Sequence, residues 1–312
     1  MLLRALGHSG LQISAVGLGC NNFGARLDQA ATTTVVRRAL DQGINFFDTA
    51  DVYGNRGGSE VMLGRALGEE RQRVVLASKF GLPMDDSGER QGAKPEYVRQ
   101  ALEASLKRLG TDYLDLYQLH RPDPHTPIEE TLGALDELVQ AGLVRFVGVS
   151  NLDAPGVRTA EEASRQRNLV RFTSCQDEYS LLVRTIEKDL ISEMRALGLG
   201  LLPYFPLASG LLSGKYHAGQ PLPEGARITG SEGAQNRYLN ERNWRLVEEL
   251  RRFAEARGHS LLELAFSWLL SNDVTSSVIA GATRPEQIDQ NVAALDWTLT
   301  REDVEEVNRI TA

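Results

Sequence analysis

Short apolar segments of strand type alternate with amphipathic helical segments eight times along this chain, and that alternation limits the fold more than any other feature. The strand-like runs fall at 15–20, 45–48, 74–80, 113–120, 146–151, 173–178, 199–205 and 277–282. Between them, apolar residues recur at helical spacing over 28–42, 59–67, 95–109, 128–141, 154–167, 187–197, the successive pair 241–257 and 261–270, and 285–295. The punctuation agrees: Ser59 stands as an N-cap, Pro95 in a first turn, and Gly43, Gly142 and Gly198 just past helix ends. Eight such units predict an α/β protein, a (β/α)8 TIM barrel with extra helices after its seventh strand; a doubly wound open sheet is the competing arrangement. Residues 2–14 alternate weakly around His8-Ser9-Gly10 and predict an N-terminal β-hairpin. A length of 312 residues suits one barrel, so 1–312 is read as a single domain.

Composition narrows the partners. A net charge of −8 gives nothing to attract nucleic acid or an anionic membrane surface. No apolar run approaches the roughly 20 residues that cross a bilayer, and the N-terminus turns polar too quickly for a secretory signal. The only cysteines, Cys20 and Cys175, lie far apart in apolar runs and read as reduced thiols, so a cytoplasmic protein is expected.

Polar residues stand where buried strands should end. Asp48, Lys79, His120, Asn151, Gln176 and Tyr204 close successive strand segments, and Tyr53 follows Asp48 on a loop ended by Gly54. In a barrel these ends form one rim, which is where active sites of this fold sit. Asp48, Tyr53, Lys79 and His120 form a chemically coherent catalytic set. A phenol with a pKa near 10 is a poor acid at neutral pH, but a neighbouring ammonium brings that pKa down. A lysine deep in a cleft needs a carboxylate to keep its charge, and Asp48 supplies one. A histidine opposite can donate to a carbonyl oxygen and orient it toward the phenol. No Gly-x-Ser-x-Gly is present, and no metal site is expected.

The runs Asp48-Thr49-Ala50-Asp51-Val52-Tyr53-Gly54, Ala77-Ser78-Lys79-Phe80 and Leu116-Tyr117-Gln118-Leu119-His120, with Ser150-Asn151, Gln176 and Tyr204, resemble the aldo-keto reductase superfamily from end to end, in its potassium-channel β-subunit-like and bacterial branch. The resemblance implies a hydride passed between NADP(H) and the carbonyl or alcohol carbon of a small aldehyde, ketone or sugar. Tyr53 would be the general acid/base, Asp48 and Lys79 would tune it, and His120 would orient the substrate. Histidine at 120 goes with carbonyl rather than carbon–carbon double-bond reduction in that family. Ser150, Asn151 and Gln176 would hold the nicotinamide carboxamide, with Tyr204 stacked on the ring.

A dinucleotide Gly-x-Gly-x-x-Gly is absent: Gly17 and Gly19 begin one, but Asn22 takes the third position. In a barrel reductase the cofactor lies across the rim instead. Phe205, Pro206, Leu207, Ser209, Gly210, Leu211 and Lys215 would then cover the pyrophosphate, largely with backbone amides. The adenosine end falls to Gly281, Ala282, Thr283, Arg284, Gln287, Gln290 and Asn291. Pro285 opens a helix there, leaving amides for a phosphate, and Arg284 suits a 2′-phosphate. Relatives often carry a lysine at the position of Gly281 and a basic residue at that of Gln287, so a preference for NADPH rests on Arg284 and NADH stays open. Asn22, Phe23, Phe80 and Arg121, with the 208–239 segment, are expected to wall a partly apolar substrate pocket, and no arginine cluster marks a sugar phosphate. Two other readings remain: a regulatory member that binds cofactor and acts through partners, like channel β subunits, and a dehydrogenase oxidising a sugar or pyridoxal-like alcohol. Oligomeric state is not legible.

Overall fold

Alternate residues of each strand face opposite ways, and this period of two sorts the core into an inside and an outside. In the computed structural model, which describes residues 1–312, Phe46, Val75, Ala77, Leu116, Leu202 and Ile279 meet in one small cluster inside the barrel. Their neighbours Phe47, Leu76 and Tyr117 pack outward into the larger core beneath the helices.

The chain opens with β1 (Leu3–Ala5) and β2 (Gln12–Ser14), an antiparallel hairpin whose Leu6 and Ile13 join that inner cluster. A short 3-10 turn over Gly7–Ser9, closed by Gly10 at φ 74°, replaces the tight turn expected at His8-Ser9-Gly10. The alternation then runs β3 (Val16–Gly19), α1 (Gln29–Asp41), β4 (Phe46–Asp48), α2 (Tyr53–Leu67), β5 (Val75–Phe80), α3 (Pro95–Leu109), β6 (Leu114–Leu119) and α4 (Ile128–Gln140). It continues through β7 (Val144–Ser150), α5 (Ala154–Arg167), β8 (Phe172–Gln176), α6 (Leu190–Leu197) and β9 (Gly200–Leu201). The last part comprises α7 (Glu232–Tyr238), α8 (Glu241–Glu255), α9 (Leu261–Ser271), β10 (Val278–Gly281), α10 (Pro285–Ala293) and α11 (Arg301–Ile310).

Eight parallel strands pair in the order β10-β3-β4-β5-β6-β7-β8-β9. The sheet closes on itself where Leu201 N–H donates to Val274 O at 2.7 Å and Ser276 N–H donates to Leu201 O at 2.8 Å. The expected (β/α)8 barrel, with its hairpin and the extra helices after the seventh barrel strand, is the fold observed.

Local differences have local causes. Ser59 does not cap α2: the left-handed residues Gly54, Asn55, Arg56 and Gly57 form its opening turn, the right-handed helix follows them, and the Ser59 hydroxyl donates to Cys20 O at 2.8 Å. Gly54 is required in that turn, since a Cβ there would stand 2.4 Å from Phe23 O. The seventh barrel strand, expected over 199–205, shrinks to β9, because Pro203 interrupts the ladder. Helix α11 was not anticipated, although Thr300 and Asp303 form a capping box at its start. Cys20 and Cys175 are buried and unpaired. No helix is long and apolar enough to cross a membrane.

Candidate active site

At the C-terminal ends of the strands the inward register continues past the apolar layer: Phe46 is followed two residues on by Asp48, Ala77 by Lys79, and Leu116 by Gln118. A cavity of about 610 Å³ opens above them. Its wall includes Asp48, Tyr53, His120, Ser150, Asn151, Gln176 and Tyr204, and the chain from Phe205 to Leu207.

Lys79 is fully buried; its Nζ donates to Asp48 Oδ2 at 2.6 Å and to Thr49 O at 2.9 Å. Burial pulls the ammonium pKa down, but Asp48 and then Tyr53 hold it above the ordinary lysine value. The Nζ lies 5.1 Å from the centroid of the Tyr53 ring. Lys79 does pull the Tyr53 phenol down, as expected, yet burial outweighs it and the net shift is upward. The phenol therefore keeps its proton at neutral pH. His120 packs edge-on against Tyr53, with centroids 5.6 Å apart and planes at 84°. Burial, then the charges of Lys79 and Arg121, depress its pKa to about 2, so the imidazole is neutral. The four residues expected to act together are thus side by side.

Around the adjoining wall, Ser150 Oγ donates to Gln176 O at 2.8 Å, and Tyr204 OH donates to Asn151 Oδ1 at 2.7 Å. Gln176 Nε2 donates to Asp48 Oδ1 at 2.9 Å. A carboxylate only accepts, so Gln176 turns its amide nitrogen inward and leaves its carbonyl for the cavity. Phe205, Ala208 and Ser209 take positive φ, and Gly210 follows at φ 104°, giving a tightly folded backbone over the rim beside Lys215. At the far end, Thr283 N–H donates to Gln287 Oε1 at 2.7 Å, and Pro285 opens α10 with Arg284 exposed at its start.

Some expected site residues lie elsewhere. Phe23 and Phe80 are wholly buried beneath the wall, and Phe80 packs on Tyr117 at 4.7 Å between centroids. Both are core rather than pocket: Phe80 shares the outward face of β5 with Leu76, and Phe23 packs into the same core beneath the helices. Leu211, Ala282 and Asn291 are also buried, and neither they nor Gln290 line the cavity. Asn22 and Arg121 do line it.

The 208–239 segment does wall the cavity, through Arg227 and Arg237, which the sequence did not single out; Arg26 and Glu178, also on the wall, lie outside every expected part of it. Glu178 pairs with Arg237 and accepts from Tyr238 OH at 2.5 Å, tying α7 to the rim. Arg26 Nη2 donates to Gly225 O at 2.8 Å from the opposite side. Arg227 lies over the Phe205 ring at 4.9 Å, close enough for its charge to act on Tyr53. Burial, then Arg284 and Arg26, lowers the Lys215 pKa, which marks those three cations as one group. Arg121 stands apart, beside His120 and Tyr204. These cations come from separate parts of the chain that only the fold assembles, and they lie at the end expected for the cofactor, away from His120.

This donor set fits a dinucleotide: a cluster of cations with folded backbone at one end, and a free amide carbonyl beside a phenol at the other. No group of three or more His, Cys, Asp or Glu side chains is placed to hold a metal ion.

The sequence model described as Aldo/keto reductase family matches residues 15–312. The chain is similar to L-glyceraldehyde 3-phosphate reductase of Escherichia coli (strain K12), with 35% identity over 305 residues covering 95% of this chain and 88% of that protein. It is 34% identical over 315 residues to the uncharacterized oxidoreductase YrpG of Bacillus subtilis, covering 98% and 94%. It is also 36% identical over 325 residues to a putative voltage-gated potassium channel subunit beta of Schizosaccharomyces pombe, covering 98% and 92%.

Proposed function

This chain belongs to the aldo-keto reductase family, an oxidoreductase family that uses NAD(P)H, and from that premise we propose that it is an NADPH-dependent reductase of small aldehydes and ketones. Residues 1–312 act as one catalytic unit in this reading. The observation that carries it is the buried Asp48–Lys79 pair directly beneath the Tyr53 ring, with a neutral His120 alongside.

The cofactor, when bound, supplies the hydride. The residues do the rest. Neutral His120 donates a hydrogen bond to the substrate carbonyl oxygen and turns it toward Tyr53. Tyr53 gives its phenolic proton to that oxygen as negative charge builds there. Lys79, kept charged by Asp48, stabilises the phenolate left behind. Burial makes the phenol a weaker acid, and the ammonium offsets part of that. Ser150, Asn151 and the free Gln176 carbonyl, with Tyr204, would hold the nicotinamide end. Lys215, Arg26, Arg227 and Arg284 would hold the phosphates, with Arg284 suited to a 2′-phosphate. Arg121, beside His120, suits a substrate that carries an anionic group.

The test follows NADPH absorbance with 4-nitrobenzaldehyde, a short-chain ketone and glyceraldehyde 3-phosphate, and NADP⁺ with the matching alcohols. Turnover of at least one carbonyl is expected. Cofactor binding without turnover across the panel would favour a second reading, a partner-binding role, for which the similarity to a channel subunit beta is the support.

A further inference from the structure

Beneath the proposed catalytic set lies one more polar side chain, Gln118. It is wholly buried and sits in register between Lys79 on β5 and Gly148 on β7. Its Nε2 donates to Asp48 Oδ1 at 3.2 Å, the same oxygen that Gln176 engages at 2.9 Å, while Lys79 holds Oδ2 at 2.6 Å. The carboxylate is thus gripped by donors from β5, β6 and β8 and cannot rotate to exchange its oxygens. Gln118 Oε1, by contrast, is buried without any partner. An orphaned amide oxygen is costly, and leucine would fill the same layer without that cost. The side chain is therefore suited to what its Nε2 does. The fold makes room for it: a Cβ on Gly148 would stand 3.2 Å from Gln118 Cγ and 2.5 Å from Ser174 Oγ.

We propose that Gln118 is a positioning residue that holds Asp48 with Oδ2 on Lys79, and so keeps the ammonium charged beneath Tyr53. This rests on the reading of Asp48, Lys79 and Tyr53 as the proton-transfer set. The titratable groups facing that carboxylate are Lys79 from β5, Tyr53 at the start of α2 and Cys20 at the end of β3, with His120 beyond Tyr53.

The decisive variant is Gln118→Glu, which is nearly isosteric. Its carboxyl donates to Asp48 when protonated and repels Asp48 when ionised. Reduction should be near wild type at low pH, with kcat falling roughly 10-fold or more as pH rises through the new group's titration. Gln118→Met, which removes the donor without adding charge, should lower kcat by a similar factor at every pH while KM for NADPH stays within about twofold. Gly148→Ala, which crowds Gln118 from the neighbouring strand, should act in the same direction. In cofactor-free protein the tyrosinate absorbance of Tyr53, isolated by difference from Tyr53→Phe, should titrate at higher pH in Gln118→Glu. A Gln118→Glu profile parallel to wild type, or wild-type kcat in Gln118→Met, overturns the proposal. Should wild-type protein itself turn over no carbonyl, the reductase reading falls, and the tyrosinate shift still decides the role of Gln118.

Discussion

Lys79 Nζ and Asp48 Oδ2 lie 2.6 Å apart at the floor of the cavity, both buried, so neither charge is compensated by water. Removing one partner leaves an isolated buried charge. Asp48→Asn should lower unfolding free energy by about 3–5 kcal/mol, and the double change Asp48→Asn with Lys79→Met should recover part of that loss. Denaturant unfolding of the two single variants and the double variant checks this; additive losses would mean the pair is not coupled.

Because burial holds His120 neutral, with a pKa of about 2, its protonation should leave no mark on the rate across the neutral range. The pH profile of kcat/KM is expected to lack a limb near pH 6.5, the ordinary histidine value. His120→Ala should lower kcat/KM by about 100-fold without introducing or removing such a limb. A wild-type limb there that vanishes in His120→Ala would show a charged imidazole at work.

Asp51 sits between Asp48 and Tyr53 in sequence but plays no part in the proposed chemistry. It is buried, both its carboxylate oxygens lack partners, and burial, then Glu60, pushes its pKa up to about 8. The folded protein therefore keeps a proton there that the unfolded chain releases near pH 3.8. Native-state proton binding exceeds that of the unfolded state between those values, so this group makes stability fall as pH rises from about 4 to about 8, and adds no further change above. Asp51→Asn should remove that slope and raise stability near pH 8 by on the order of a few kcal/mol. Unfolding free energies of both proteins across this range provide the check; parallel curves would contradict it.

Arg284 is exposed at the start of α10, and its nearest acid, Glu286, stands 3.7 Å away. Arg284→Ala should weaken NADPH binding by roughly 10-fold or more while changing NADH little, as loss of a charge-assisted contact to one phosphate requires. Fluorescence titration with both cofactors measures it. Equal losses would move recognition of the 2′-phosphate to Lys215 or Arg227.

Arg121 makes no ion pair or side-chain hydrogen bond, although its charge acts on His120. Arg121→Ala should raise KM for glyceraldehyde 3-phosphate by about 10-fold and leave 4-nitrobenzaldehyde unchanged. A common change for both substrates would tie Arg121 to the histidine rather than to an anionic group.

The barrel was legible because period-two and period-3.6 patterns alternate cleanly, and because Asp48, Lys79 and His120 interrupt apolar strands at their ends. The cavity wall was less so. Arg26, Glu178 and Arg227 lie outside the helices and strands, Arg237 lies on the short helix α7, and only the closed barrel brings them together. Phe23 and Phe80 misled for the opposite reason: aromatic residues near the motif looked like pocket, but side-chain direction at those positions turns them into the core. Gln118 was visible in the histidine strand, yet its contact with Asp48 depends on strand register that sequence does not display.

In the proposed mechanism Tyr53 delivers the proton. Single-turnover reduction of 4-nitrobenzaldehyde by NADPH, compared between wild type and Tyr53→Phe, tests it most directly. The expected result is a fall in the chemical rate of about 100-fold or more, with NADPH affinity within about twofold of wild type. A Tyr53→Phe rate equal to wild type at unchanged NADPH affinity would contradict the account.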